Sequence, residues 1–255
     1  MERKDIRAVV TGGASGLGQG TVEAIVAAGG KAAILDFDEA RGNEIAAALG
    51  ENAIFAKTDV TSEESVAAAI TKTMAAFGSI NFCVNCAGVA TPGKLIGKKG
   101  PIPMDVYERV VRINLFGTVI VCRLAAEKMT ANEPGPDGER GVIINTASVA
   151  AFEGQVGQAA YAASKAAVAG LTLPLAREFA DVGIRVMTIA PGIFWTPMMA
   201  GLPEKAVEAL SQMMPFPKRM GQPSEYAALA LHIAENRLLN GETIRLDAAI
   251  RMAAR

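Results

Sequence analysis

The sequence predicts an α/β fold: a doubly wound parallel sheet with helices on both faces. Three observations predict it. Short apolar runs alternate with longer helical patterns along the whole chain, the mark of repeated strand–helix–strand units joined by right-handed crossovers. The runs are apolar throughout, as in Ala8-Val9-Val10 and Val142-Ile143-Ile144, which suits strands buried on both faces. No proline- or serine-rich linker divides the 255 residues, and one α/β domain of about 250 residues is ordinary. A single domain over residues 1–255 is therefore expected.

Each element has its own local reason. Ile6–Val10 reads as the first strand, followed by a glycine-rich turn and a helix to about Ala28. Gly29-Gly30 stops that helix, since glycine takes the left-handed conformation without a Cβ clash. Ala32–Asp36 is the second strand, Glu39–Leu49 a helix and Ala53–Lys57 the third strand. Thr61-Ser62-Glu63-Glu64 opens the next helix with a hydroxyl cap and acids in its first turn. Ile80–Asn85 and Gly141–Thr146 are strands, with a long helix around Val106–Met129 between them. Helix Ala159–Ala180, strand Ile184–Ala190, helices near Glu204–Met213 and Ser224–Glu235, and strand Thr243–Leu246 complete the chain. Two connections, Thr91–Pro103 and Asn132–Arg140, exceed the usual loop of about 2–6 residues. The first leaves the carboxyl end of a central strand, where ligands bind in such sheets.

Composition excludes several functions. Hydrophobic residues make up 51% and charged residues 20%, so the chain is not disordered. With 25 basic and 26 acidic residues, the net charge of −1 advertises neither a nucleic-acid nor an anionic-membrane partner. Cys83 and Cys86 have C-x-x-C spacing, but there is no second pair, and His232 is the sole histidine. No metal site is expected, because zinc wants three or four such ligands. A Ser-His-Asp hydrolase is disfavoured for the same reason. No secretory h-region and no membrane-spanning apolar run appears; a cytoplasmic, reducing setting is expected.

The first strand runs into Thr11-Gly12-Gly13-Ala14-Ser15-Gly16-Leu17-Gly18 and then a helix. Gly12, Gly16 and Gly18 give G-x-x-x-G-x-G spacing rather than G-x-G-x-x-G. Either way, close backbone approach and a free helix N-terminus suit a pyrophosphate, with Ser15 and Leu17 contributing through backbone. The competing reading is a glycine-rich turn with no ligand. Asp36 weighs against it, lying eighteen residues beyond Gly18, near the roughly 20-residue offset of an acid that grips the adenine ribose. Its carboxylate accepts from a 2′-hydroxyl and repels a 2′-phosphate, by about 4 kcal/mol per charge pair at ~4 Å and an effective dielectric of ~20. NAD is predicted over NADP. Asp59-Val60 and Cys86 end neighbouring strands on the same sheet edge and suit the adenine and the nicotinamide ribose.

At the other end, strand Val142–Asn145 leads to Ser148, and thirteen residues later Tyr161-Ala162-Ala163-Ser164-Lys165 begins a helix. Residues four apart share a helix face. Tyrosine's ordinary pKa of about 10 makes it a poor base, and a neighbouring ammonium would favour the phenolate. Hydride loss from a carbinol carbon requires removal of the hydroxyl proton. Tyr161 is the candidate base, Ser148 the hydrogen-bond partner of the same oxygen, and Lys165 the activating cation that also reaches the nicotinamide ribose.

These residues resemble, in order, the short-chain dehydrogenase/reductases: Thr11–Gly18, Asp59, Asn85–Gly88, Ser148, Tyr161, Lys165 and Pro191-Gly192 with Thr196. The resemblance implies a Rossmann-type sheet. It also implies that Asn114 is a fourth catalytic member, kinking its helix and holding a proton-relaying water. Cys86 departs from the usual Asn-Asn-Ala-Gly. Within the family the chain is similar to the type 2, short-chain 3-hydroxyacyl-CoA dehydrogenases, in Lys98-Lys99-Gly100, Asn132-Glu133-Pro134, Gly141–Tyr161, Met187–Phe194 and Leu239–Met252. This implies NAD-dependent oxidation of (S)-3-hydroxyacyl-CoA, with 2-methyl-branched acyl groups and hydroxysteroids as further substrates, and a homotetramer. It also implies that Phe194 and Thr196 contact the nicotinamide end of NAD, and Ser148 and Gln155 the substrate. Trp195, where a small residue is common, would narrow the acyl pocket. Lys94–Lys99 could meet CoA phosphates. An NADPH-dependent 3-oxoacyl-carrier-protein reductase and a non-catalytic scaffold remain the alternatives.

Overall fold

The computed structural model describes residues 1–98, 100–196 and 203–254. Strands β1 (Arg7–Thr11), β2 (Lys31–Asp36), β3 (Ala53–Lys57), β4 (Phe82–Asn85), β7 (Gly141–Thr146), β8 (Ile184–Pro191) and β9 (Thr243–Leu246) form one sheet in the order β3-β2-β1-β4-β7-β8-β9. Every pairing is parallel. A two-stranded hairpin, β5 (Ile96–Gly97) and β6 (Gly100–Pro101), stands apart within the first long connection.

Helices α1 (Gly16–Ala27), α2 (Glu39–Leu49), α3 (Glu63–Phe77), α4 (Met104–Val111), α5 (Gly117–Met129), α6 (Ala159–Glu178), α7 (Glu204–Gln212) and α8 (Pro223–Glu235) complete the fold. Strand alternation sorts the core into two layers. Val10, Ile34, Val84, Ile144 and Ile189 pack with Val22 and Ile25 of α1 and Ala230 and Ile233 of α8. Val9, Leu35, Cys83, Ile143 and Val186 pack on the other face with Ile70 of α3 and Val121 and Met129 of α5. Each such side chain stabilises by about 1.5–3 kcal/mol, so the sheet holds with all three cysteines free.

The expected elements are present, with instructive differences. The helix expected over Val106–Met129 is interrupted by a π-helical turn, Arg112–Phe116, centred on Asn114. Strand β4 starts at Phe82 rather than Ile80, because the Asn81 side chain is diverted: its Oδ1 accepts from Arg7 N at 2.7 Å and its Nδ2 donates to the Asp5 carbonyl at 2.9 Å. The second long connection is tied to the amino ends of β4 and β7, where Asn132 donates to the carbonyls of Ile80 and Arg140. The first lies at the carboxyl ends, joined to the loop before α6 by Gly93 N donating to Gly157 O at 2.7 Å. Only the first connection is placed to meet a ligand.

Candidate active site

Strand order reverses between β1 and β4, and a crevice opens at the carboxyl ends beside such a switch point. Here it is a cleft of about 1440 Å³. Gly12, Ser15, Gly16, Leu17, Gly18, Asp36, Asp59, Val60, Cys86, Ser148, Tyr161, Lys165, Phe194 and Thr196 all line it.

The glycine turn is packed main chain against main chain. A Cβ on Gly12, whose φ is +63°, would lie 2.9 Å from Ala87 N, and one on Gly18 would run into the Gly12 carbonyl. Ser15 stands at the N-cap of α1 but makes no capping hydrogen bond. By contrast, Asp38 caps α2 by accepting from Arg41 N, and Ser62 caps α3 by accepting from Ser65 N. Thus α1 presents uncapped first-turn N–H groups to the cleft, the donors an anionic oxygen would need.

Asp36 closes β2 with Oδ2 accepting from Ala14 N and Oδ1 from Asp38 N, both at 3.0 Å. The acid is thereby fixed against the glycine turn. Asp59 turns its carboxylate onto Thr61, accepting from the backbone N at 2.9 Å and the hydroxyl at 2.7 Å. Arg41 also lines the cleft, held by a 3.2 Å hydrogen bond to Gln19 Oε1. Nothing in the sequence marks this cation, which lies beyond the second strand within the helix Glu39–Leu49.

At the opposite end, Tyr161 and Lys165 share one face of α6, with Lys165 Nζ 5.9 Å from the phenol ring centroid. Ser148 follows β7, its Oγ accepting from Ala150 N at 3.1 Å. Burial pushes the Tyr161 phenol above its usual value, while the neighbouring Ser148 hydroxyl pulls it down. Burial also lowers the Lys165 ammonium to about 8, against a smaller opposing effect from Cys86. The ammonium donates to the Thr146 carbonyl at 2.7 Å. Burial likewise raises the Cys86 thiol, keeping it neutral.

Asn114 is fully buried behind the cleft wall. Its Oδ1 accepts from Val89 N at 2.8 Å, and its Nδ2 donates to Val89 O and Ser164 Oγ, both at 3.0 Å. Ser164 in turn donates to the Tyr161 carbonyl at 2.7 Å. Asn114 is therefore wired to α6 through a serine that lies inside the Tyr161–Lys165 string itself. That spacing was visible, but its partner was fifty residues away.

Gln155 is not in the main cleft. It lines a neighbouring cavity of about 390 Å³ with Lys94 and Leu95, and its amide donates to Ala253 O at 3.0 Å. Gln158 lines both cavities, although the sequence did not single it out. Trp195 is 37% exposed and lies outside the cleft lining. Lys98 is exposed, and Lys99 lies outside the described residues. Among the described residues, no group of three or more His, Cys, Asp or Glu could hold a metal ion, and no helix is long and apolar enough to cross a membrane.

The family model for short chain dehydrogenases matches residues 7–206. The chain belongs to the short-chain dehydrogenase family. As a short-chain dehydrogenase it is an oxidoreductase, and its relatives share nearly its whole length. It is 53% identical over 251 residues to a human protein named 3-hydroxyacyl-CoA dehydrogenase type-2, covering 98% of this chain and 96% of that one. It is 36% identical over 246 residues to an ipsdienol dehydrogenase of Ips pini, covering 95% and 96%. A crystal structure of 3-hydroxyacyl-CoA dehydrogenase type-2 from Mycobacterium avium superposes with a TM-score of 0.94 at 42% identity, covering 97% and 96% of the two chains.

Proposed function

We propose that this dehydrogenase oxidises (S)-3-hydroxyacyl-CoA to 3-oxoacyl-CoA with NAD as electron acceptor. The observation that carries the reading is one cleft with two ends: uncapped α1 and Asp36 at one, Tyr161, Lys165 and Ser148 at the other. The acyl-CoA substrate class rests on the relatives at 53% and 42% identity, whose names give that activity.

The residues present fit a dinucleotide. The turn has no room for a Cβ at Gly12 or Gly18, so main chain can approach a pyrophosphate closely, and the α1 N–H groups have no capping side chain to displace. Asp36 would hold the adenine ribose hydroxyls, with Asp59 and Val60 beside the adenine. Cys86, Phe194 and Thr196 would line the nicotinamide end, near Tyr161 and Lys165. When bound, the dinucleotide supplies the ring that accepts hydride from the carbinol carbon.

Tyr161 removes the hydroxyl proton, and Ser148 donates a hydrogen bond to the same oxygen. Because burial opposes the phenolate, a cation must favour it. A charge about 6 Å away at an effective dielectric of ~20 contributes about 3 kcal/mol to that preference. Lys165 stands at that distance from the ring. Asn114 anchors the wall behind both through Ser164. Gln155 and Gln158 flank the acyl path. The small-residue face of α6, with seven alanines and a glycine over 159–170, supports a homotetramer, and a cytoplasmic location accompanies this reading.

A panel of C4–C16 3-oxoacyl-CoAs, each assayed with NADH and NADPH, tests the function. We expect turnover with a strong NADH preference. Equal kcat/KM for the two cofactors would overturn the NAD assignment; a panel without turnover would overturn the substrate class.

A further inference from the structure

Lys165 comes from α6, but the residue that holds it is fixed from the opposite, α1/α8 layer of the sheet. Its acceptor is the main-chain carbonyl of Thr146, the last residue of β7. The β4–β7 ladder ends one residue earlier, at Asn85 paired with Asn145. Ala147 N donates to Ile189 of β8. Thr146, itself paired with Ile189 in the β7–β8 ladder, turns its carbonyl toward β4, where the register with β7 stops at Asn85. That carbonyl has no strand partner, so its direction depends on what else holds the residue.

The side chain of Thr146 provides the fixing. Val142 and Ile144 face the α1/α8 layer, and strand alternation sends Thr146 the same way. There its Oγ1 lies 2.7 Å from the hydroxyl of Tyr226, a fully buried residue in the first turn of α8. The Cys86 thiol completes the cluster, 3.6 Å from Thr146 Oγ1 and 3.7 Å from Tyr226 OH. Both hydroxyls are removed from water, where an unmade hydrogen bond costs most.

We propose that Tyr226 is a positioning residue for Lys165: from the far face of the sheet it pins Thr146, and thereby the carbonyl that orients the ammonium. The cluster also accounts for Cys86 at a position where the family usually has asparagine. A small neutral thiol fits between the two hydroxyls without competing for the Lys165 ammonium. The idea rests on the proposed role of Lys165 beside Tyr161, but its test is read first without turnover.

The titration of Lys165 in the cofactor-free protein is followed by NMR of lysine labelled at Cε, in the wild type and in Tyr226→Phe, Thr146→Val and Thr146→Ser. We expect Tyr226→Phe and Thr146→Val each to move that titration by about half a unit or more and to lower kcat about three- to tenfold. Thr146→Ser, which keeps the hydroxyl, should restore both. A Lys165 titration identical to wild type in Thr146→Val overturns the proposal, as does a Thr146→Ser protein as impaired as Thr146→Val. If Tyr226→Phe does not fold, the two Thr146 variants decide alone. Loss of the Tyr161 base assignment would show as full turnover in Tyr161→Phe and would leave the lysine titration unaffected.

Discussion

The two ends of the cleft are built by different means. At the glycine turn the working groups are main-chain N–H groups and the Asp36 carboxylate, all within residues 11–38, with Asp59 and Val60 beside them in the cleft wall. At the tyrosine end they are side chains drawn from the π-helical turn, β7 and α6 and held by one another: Asn114 by Val89 and Ser164, Lys165 by Thr146, and Thr146 by Tyr226. A site of main chain is set by local conformation and fails when space is taken away. A site of coupled side chains is set by packing and fails when one partner is removed.

Substitutions at the two ends should therefore fail in different ways. The largest effect is expected for Tyr161→Phe, which removes the proposed base and should lower acetoacetyl-CoA reduction by about a thousandfold. NADH binding by fluorescence should persist; undiminished turnover would remove the tyrosine end from the chemistry. Next comes Lys165→Met. A lysine depressed from 10.5 to about 8 in the folded state binds its proton more weakly there than in the unfolded chain. Folding free energy therefore increases as pH rises from about 8 to 10.5, and is lower by up to about 3 kcal/mol below that window. The buried Cys83, Cys86 and Cys122 thiols, raised by burial, pull stability the other way in both proteins, so the slope should appear in the difference between the wild-type and Lys165→Met denaturant titrations; parallel pH curves would refute it.

Two smaller effects address the glycine-turn end. Asp36→Asn removes the charge opposed to a 2′-phosphate, and the NADH-over-NADPH ratio of kcat/KM should fall about ten- to a hundredfold, since solvent screens part of the full repulsion. An unchanged ratio would overturn Asp36 as the residue that sets preference. Gly18→Ala places a methyl against the Gly12 carbonyl and should weaken NADH binding about tenfold. Gly97→Ala, whose added Cβ meets nothing nearer than 3.8 Å, is the control and should bind NADH normally.

The same contrast explains how much could be seen before the fold was known. The strands, the glycine turn, the cap of α3 at Ser62 and the Tyr161–Lys165 spacing follow from periodicity and local stereochemistry. The structure brought the predicted cleft residues to one crevice, with Asn114 behind its wall and Gln155 in the adjoining cavity. Ser164, Thr146 and Tyr226 carried no local signal as partners, because each partner lies 50 to 80 residues distant in sequence or is a main-chain carbonyl. The hairpin β5–β6 falls within the first long connection and leaves no mark in the sequence, its two-residue strands being too short for any alternation to register.

By itself the amino-acid sequence determined the alternation of strands and helices, the buried character of the sheet and the residue types of both ends of the cleft. Those properties depend on neighbours within a few residues. Tertiary structure alone decided that Lys165 faces the Thr146 carbonyl rather than solvent and that Asn114 is held by Val89 and Ser164. It also decided that a tyrosine from α8 reaches through to the end of β7. Strand ends and buried polar groups are satisfied by whatever the packing brings within hydrogen-bonding distance, and packing is a property of the whole chain.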